Sequence, residues 1–468
     1  MARANEEVGS EYEGAEFGDA RLARRLISLA RLVAAEPDSS FPAAAGGDAN
    51  LEATYRFLNN DRVTPERILA PHVRRTVERC IDAERVVVAH DTTELNFGDS
   101  EREDLGRVGR GKSYGFYAHY ALAIHGDESR EPLGVLGLHS HFRRGDKGRR
   151  GHRALQSAPD NESRRWLSSV ETVEELLRPR TQPIHVMDRE ADCYSLFADL
   201  VRRRARFVIR MASAKRQTTD EKFATVGDAL AGAAVLAERE VPIAARGRSK
   251  LPSYRKHFPE RNARVAHLQM TATRVTLVRP DSSSHSPDKT LTLHAVRVFE
   301  PAPPDGEIAV EWRLWTTEPI DTAEQMLEIV DAYRCRWRIE EYYKALKTGC
   351  ALEARQLESS GGLLNTLALF TPIAWRLLQL RSLAHERADA PAERVLSPSQ
   401  LTCLRFALRR LKRPELPPKP TIRDAMLGVA ALGGHIKNNG EPGWIVLGRG
   451  FDKLLTIELG YLAAKGEM

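Results

Sequence analysis

The sequence predicts an α/β fold in which a sheet that opens antiparallel and continues parallel lies between two helical ends. Three observations carry this reading. Apolar, β-branched runs from Arg85, over Tyr114–His125 and over Pro132–His139 are separated by short links, the pattern of an antiparallel meander. A helix from about Glu162 to Leu177, a strand at Ile184–Met187, a helix to Arg204 and a strand at Ala205–Met211 then alternate, which argues for a parallel step. Residues 1–80 and 371–468 hold capped patterns of helical period instead.

Composition sets the outer limits. At 468 residues the chain is long enough for two to four domains with sizeable cores. A hydrophobic fraction of 42% beside 29% charged residues is that of a soluble globular protein. No apolar run approaches 18 residues, so no membrane span is expected. The opening MARANEEVGSEYEGAEF is acidic and has no apolar stretch, unlike a secretory signal. Five scattered cysteines without a CxxC indicate neither a zinc site nor a disulfide framework, and a reduced cytoplasm fits. The net charge of +6 is modest but clustered, which leans toward nucleic acid.

Residues 1–17 read as a loose tail. Asp19 then caps a helix that Pro37 stops, with Leu22, Leu26, Leu29 and Val33 as its apolar stripe. Arg21, Arg24 and Arg25 begin a second, basic stripe, which suits either DNA phosphates or a solvated face. Helices near Leu51–Asn59 and from the Thr64-Pro65 start to Cys80 complete a helical domain over 1–80. Within the first strand, Asp91 is unusual, because a buried carboxylate must be paired or bind a metal. Asp188 stands just past the end of Ile184–Met187, where α/β sheets place active groups, although Arg189, Glu190 and Asp192 could make it a surface ion-pair cluster.

From about 213 to 317 the pattern becomes mostly β, with a helical piece at Thr225–Ala237 and alternating runs at His267–Val278, Leu291–Phe299 and Ala309–Trp315. Two basic loops, 143–153 and 246–264, are either phosphate contacts or solvated surface. A single long helix is expected from Ala323 to Thr348, opened by the capping box Thr322-x-x-Gln325. On it Tyr333, Arg336, Lys344 and Lys347 all fall within about 40° of Glu340. One acid among several bases suits a phosphodiester site, with the carboxylate on a metal and the cations on phosphate oxygens; a plain Glu340–Lys344 surface pair is the bland alternative. Beyond it come apolar Leu363–His385, a helix from Ser397-Pro398 to about Lys412, a stiff proline linker at 414–420, and helices ending near Gly433 and beginning near Trp444.

Three carboxylates thus stand out: Asp91 in a strand, Asp188 at a strand end and Glu340 on a helix. Their order along meander, helix, strand, helix, strand, insertion and helix is that of a ribonuclease H-like core with a mostly β insertion, flanked by helical N- and C-terminal domains. Such a core brings acids from its first strand, fourth strand and last helix to one point, an oxygen cage of the kind two Mg²⁺ ions need.

The motifs GDARLARRL and YRFLNN, HDTTELNF, DREADCY, LWTTEP, RWRIEEYYKALKTG and GEPGW resemble those of the bacterial cut-and-paste DDE transposases of the insertion-sequence-four family. That family's Tyr-x2-Arg-x3-Glu-x6-Lys pattern falls without a gap on Tyr333, Arg336, Glu340 and Lys347. The resemblance implies that Asp91, Asp188 and Glu340 bind two Mg²⁺ ions, with Mn²⁺ able to substitute, and carry catalysis. It implies that Tyr333, Arg336, Lys347 and Arg210 hold DNA phosphates and that Trp312 stacks on a base flipped from the duplex. It further implies domains at 1–80 for end recognition, 81–370 for catalysis and 371–468 for dimerisation. The partners would be double-stranded transposon ends and target DNA, met by a homodimer in the bacterial cytoplasm. Two other readings stay open: a nuclease of the same fold that cuts without joining, and a non-enzymatic DNA-binding repressor.

Overall fold

A computed structural model of the chain describes residues 8–35, 37–109, 112–143, 164–248, 259–284, 286–386, 388–436 and 441–466. Most of the basic loops 143–153 and 246–264 lies outside the described residues. The chain divides into two units, one of residues 1–150, 168–183 and 337–468, the other of residues 151–167 and 184–336.

In the first unit the described part of the expected loose tail, residues 8–17, is packed. Val8–Tyr12 forms a 3₁₀ helix with Tyr12 fully buried, its hydroxyl donating to the Leu369 carbonyl. The segment looks polar in sequence because Glu11 lies in it, but that carboxylate is buried and satisfied. It accepts from Arg79 at 2.8 Å and from His72 Nδ1 at 2.5 Å. Helix α1 (Ala20–Ala35) follows, with Asp19 Oδ1 accepting from the Arg21 amide at 2.9 Å and Leu26, Leu29 and Val33 buried. A short helix α2 (Phe41–Ala45), capped by Ser40, precedes α3 (Asp48–Leu58) and α4 (Pro65–Ile81).

Strand β1 (Val86–Asn96) pairs antiparallel with β3 (Tyr114–His125), whose other edge takes β4 (Pro132–His141) and the two-residue β2 (Gly106–Arg107). This is the expected meander. Helix α4 and helix α5 (Arg164–Leu177) cover one face, where Cys80, Val86, Val88, Ala121, Leu136, Val173 and Leu177 share a core.

In the second unit β5 (Ile184–Met187) runs parallel to β6 (Arg206–Arg210), linked by α6 (Tyr194–Arg202). The β-rich insertion continues this sheet, because β10 (Glu311–Thr316) closes the edge of β6 and is followed by β9 (Thr290–Phe299), β8 (Arg264–Val278) and β7 (Val235–Ile243). The helical piece expected to reach Ala237 ends at Ala231 as α7 (Val226–Ala231), and Val235–Ala237 open β7. Pairing of β7 with β8 outweighs the helix propensity of its alanines.

The long helix expected over Ala323–Thr348 is not continuous. Helix α8 (Ala323–Arg334) ends in i→i−3 bonds, Cys335 N–H to the Ala332 carbonyl at 3.1 Å and Arg336 N–H to the Tyr333 carbonyl at 3.1 Å. The chain restarts as α9 (Trp337–Lys344) and finishes in a π turn, Ala345–Gly349. Residues 335–336 and 345–349 thus depart from the ideal α geometry on which the angular expectation for 333–347 rests. The unit boundary falls at the same place, between Arg336 and Trp337.

Back in the first unit, α10 (Ser360–Glu386) is long and apolar enough to cross a membrane by length and composition alone. Yet 89% of its most apolar window is buried within the protein, as befits a helix apolar on all sides. Helices α11 (Pro398–Arg410), α12 (Ile422–Leu432) and α13 (Trp444–Lys465) form a further core around Leu404, Leu408, Met426 and Leu454. The proline segment 414–420 is no free spacer. Leu416 is buried, and Arg405 binds the carbonyls of Leu416, Pro417 and Pro418 at 2.7–3.0 Å.

Candidate active site

Each unit presents a group of the expected site residues. In the first, Asp91 lies in the middle of β1, opposite Tyr120 of β3, half-buried, with Oδ1 accepting the Thr92 amide at 2.7 Å. Helix α9 is pinned to this strand by Tyr343, whose hydroxyl donates to the Asp91 carbonyl at 2.7 Å. Glu340 stands one turn before Tyr343, so the helix face that bears it is turned toward the Asp91 strand. Lys347, in the π turn, donates to the Glu94 carbonyl and lies 3.4 Å from Glu353 Oε1. Lys344 points to solvent, and Glu341 pairs with Arg338 at 2.8 Å.

In the second unit Asp188 caps the 3₁₀ turn Arg189–Ala191, its Oδ1 accepting the Glu190 amide at 2.8 Å. Its Oδ2 accepts no hydrogen bond from the described residues. The neighbouring acids are used structurally. The Asp192 carboxylate is buried, with Arg216 on Oδ1 at 2.6 Å and the Ala212 amide on Oδ2 at 2.6 Å, and Glu190 pairs with Arg165 at 2.9 Å.

Arg210, at the end of β6, donates to the Glu311 carbonyl at 2.9 Å, with its guanidinium 6.0 Å from the Trp312 ring. Trp312 meets Tyr333 edge-on at 5.9 Å. Burial pushes the Tyr333 phenol above its ordinary range, Arg336 and Arg210 pull against it, and Asp188 adds to the push. Burial likewise holds Arg210 below its ordinary value. Arg210, Trp312, Tyr333 and Arg336 are therefore one cluster, with Asp188 within electrostatic reach. Trp315 faces the other way, fully buried and 6.0 Å from Phe197. Three residues apart on one strand, the two indoles fall on opposite faces.

Helix α1 presents the basic stripe unevenly. Arg21 is held by Asp19 at 2.9 Å, Arg25 donates to the Asn50 carbonyl at 2.9 Å, and Arg24 is exposed without a partner among the described residues.

The structure adds two residues to which the sequence assigns no role, Tyr343 inside the RWRIEEYYKALKTG motif and Glu353 beyond it. Tyr343 looks like core beside Tyr342, and Glu353 lies in no motif; the contacts that give them meaning are with residues about 250 positions away. Asp91 and Glu340 belong to one unit and Asp188 to the other. Among the described residues no three His, Cys, Asp or Glu side chains gather closely enough to hold a metal ion. The donor chemistry nonetheless suits a hard divalent ion, since all three candidates are carboxylates and Asp188 Oδ2 is uncommitted.

Residues 5–63 match the family described as Transposase DNA-binding, and residues 158–370 match the one described as Transposase DDE domain. The first contains Arg21, Arg24 and Arg25. The second contains Asp188, Arg210, Trp312, Tyr333, Arg336, Glu340 and Lys347 but begins after Asp91. Among solved structures, a piggyBac transposase synaptic complex with hairpin DNA is similar at 11% identity and a TM-score of 0.32, over 88% of this chain. This chain spans 65% of that chain's length, and so slight a likeness carries no argument. The two matched regions together take in more than half of the sequence, with one supplying a DNA-binding domain and the other a divalent-metal-dependent DDE domain, and the chain belongs to the DDE transposases.

Proposed function

We propose that this protein is a cut-and-paste transposase of the insertion-sequence-four type, acting on DNA in the bacterial cytoplasm. It would bind the ends of its element, cut them through a hairpin intermediate and join the 3′ ends to target DNA. The observation that supports this reading most is that each unit sets a part-exposed carboxylate near groups able to bind phosphate: Asp188 within electrostatic reach of Tyr333, itself beside Arg210 and Arg336, and Asp91 on the strand whose Glu94 carbonyl takes Lys347.

Asp91, Asp188 and Glu340 would hold two Mg²⁺ ions, or Mn²⁺ in their place. When bound, such ions polarise the phosphodiester and favour the ionised form of the attacking oxygen. The protein's own groups do the rest. Arg210, Arg336 and Lys347 hold the phosphate oxygens that gain charge as the bond to the leaving oxygen breaks. Trp312 offers an aromatic face to a base that leaves the stack when the strand bends into a hairpin. Four transfers follow in turn: water attacks, the new 3′-hydroxyl attacks the opposite strand, water opens the hairpin, and the 3′-hydroxyl attacks target DNA. Residues 1–80, with Arg21, Arg24 and Arg25, recognise the element ends, 81–370 carry the chemistry, and 371–468 pair two protomers.

The test is a time course on labelled duplex carrying the inverted repeats that flank the gene, with Mg²⁺ and a supercoiled target plasmid. Nick, hairpin, double-strand break and joined product should appear in that order. Breaks without joined product would make the protein a nuclease, and binding without cutting would make it a repressor.

A further inference from the structure

The chain leaves the π turn that carries Lys347 by an abrupt reversal. Ala351 adopts the left-handed conformation, φ 44°, and opens a 3₁₀ turn, Leu352–Ala354. A non-glycine residue there is strained and persists only where its surroundings over-determine it. Two side chains of this turn supply that restraint from opposite sides. Glu353 Oε1 accepts the Asn96 amide at 2.9 Å, at the end of the strand that bears Asp91, and stands 3.4 Å from Lys347 Nζ. Arg355 is buried, donating to the carbonyls of Pro37 and Ser39 and, at 2.8 Å, of Cys350. Its guanidinium also lies 4.6 Å from the Phe370 ring.

We infer that Glu353 is a positioning residue for Lys347: it fixes the ammonium between the Glu94 carbonyl and its own carboxylate so that a remaining N–H is aimed at the scissile phosphate. The inference rests on the reading of Lys347 as a phosphate ligand. An ammonium has three donors on a flexible four-carbon stem; one goes to the Glu94 carbonyl, and the ion pair with Glu353 restrains the charge from a second direction. Held between a carbonyl and a carboxylate, the ammonium has a defined place from which to direct a remaining donor. Arg355 anchors the turn from behind, so the carboxylate's place does not depend on Lys347 itself. Without Glu353 the lysine keeps its charge and its attraction for DNA but loses its aim, and a small misplacement of a charge-stabilising group costs rate more than affinity.

The test uses single-turnover cleavage of the flanking-repeat duplex by the full-length protein, at saturating protein and with binding measured in parallel. Glu353→Ala should slow the rate constant by about tenfold or more. Its affinity should be unchanged or tighter, because a negative charge near the phosphates is gone. Glu353→Gln retains an acceptor for the Asn96 amide and should recover part of the rate. Lys347→Ala should also be slow, and adding Glu353→Ala to it should cost nothing further, since a residue that acts through another has no effect in its absence. A purely structural role would lower the reaction amplitude and the melting temperature and leave the rate constant of the active fraction alone, and that outcome overturns the inference. So does a normal rate for Glu353→Ala beside a slow Lys347→Ala. A normal rate for Lys347→Ala would overturn the phosphate role of Lys347, and this inference with it.

Discussion

The two groups of candidate residues, one half of them in each unit, are built on different principles. In the second unit Arg210, Trp312 and Tyr333 are mutual neighbours on strand ends and a helix, with planar groups set edge to face. In the first, the polar groups are referred to the backbone: Tyr343 to the Asp91 carbonyl, Lys347 to the Glu94 carbonyl and Glu353 to the Asn96 amide. The aromatic half gains rigidity from ring packing and presents faces, as recognition of a base and its phosphates needs. The other half gains it from hydrogen bonds to one strand and presents charges, as placing a carboxylate and an ammonium beside each other needs. Side chains that stack can hold DNA; side chains tied to a strand can hold a reacting group still.

The largest effects should come from the carboxylates, whichever half they occupy. Asp91→Ala, Asp188→Ala and Glu340→Ala should each reduce cleavage by about a thousandfold or more, while gel shifts on the same preparations show binding to element ends kept or tightened. Glu341→Ala, which loses an ion pair with Arg338 and no candidate metal ligand, should keep substantial activity. Normal cutting by any of the three would remove that residue from the triad.

The two tryptophans of β10 sharpen the contrast within the aromatic half. Trp315→Ala empties a fully buried site and should cost about 3–5 kcal/mol in urea unfolding. Trp312→Ala should leave the first nick nearly intact and slow hairpin formation by about tenfold, near 1.4 kcal/mol. Equal slowing of nick and hairpin would make Trp312 structural.

A milder effect separates the units by pH. His72 Nε2 accepts the Val135 amide at 3.0 Å, so the ring is neutral and its Nδ1 proton goes to Glu11. Burial holds His72 below its ordinary value. Burial pushes the Glu11 carboxyl up, but His72 and Arg79 outweigh it and hold that group below the usual carboxylate range. Both shifts leave the unfolded chain binding more protons, so stability falls as pH falls. The His72 contribution begins to go below about pH 6.5 and the Glu11 contribution below about pH 4.3. Between pH 7 and 5.5 thermal unfolding of the first unit should shift downward, and His72→Gln should flatten that interval.

The smallest effect is expected at α1. Replacing Arg21, Arg24 and Arg25 together by alanine should weaken end binding and lower the log–log salt slope by about one for each phosphate left unneutralised. Arg24, the uncommitted member, should account for most of a single-residue change. An unchanged slope in a folded variant would mean the stripe is only solvated.

Much of the fold and part of the site are legible in the residues alone. Alternation and end signals locate β1, β3, β4, β5, β6 and most helices within a few residues, because burial of one face writes a period of 2 or 3.6 into the chain. Asp91 and Asp188 stand out as acids at unusual places in strands. The failures share a cause. Residues 8–12 read as loose because Glu11 makes them look polar, and the partners that bury that acid are on α4. The proline segment reads as a spacer because its satisfied groups are carbonyls reached by Arg405. Tyr343, though inside the RWRIEEYYKALKTG motif, reads as core, and Glu353 carries no signal at all.

The sequence by itself determined what is local: which residues repeat, where helices begin, which carboxylates and cations share a motif, and through the motifs the family. Tertiary structure decided continuity and use. A capping box and an unbroken helical pattern could not reveal that the helix tightens at Cys335 and widens at Ala345. Those deviations answer to partners brought in from elsewhere: Arg239 on the Asp331 carboxylate at 2.6 Å in one unit, and the β1 carbonyls on Tyr343 and Lys347 in the other. Each such interaction is worth about a kilocalorie per mole or two, and its partner is set by the fold, not by the neighbouring sequence.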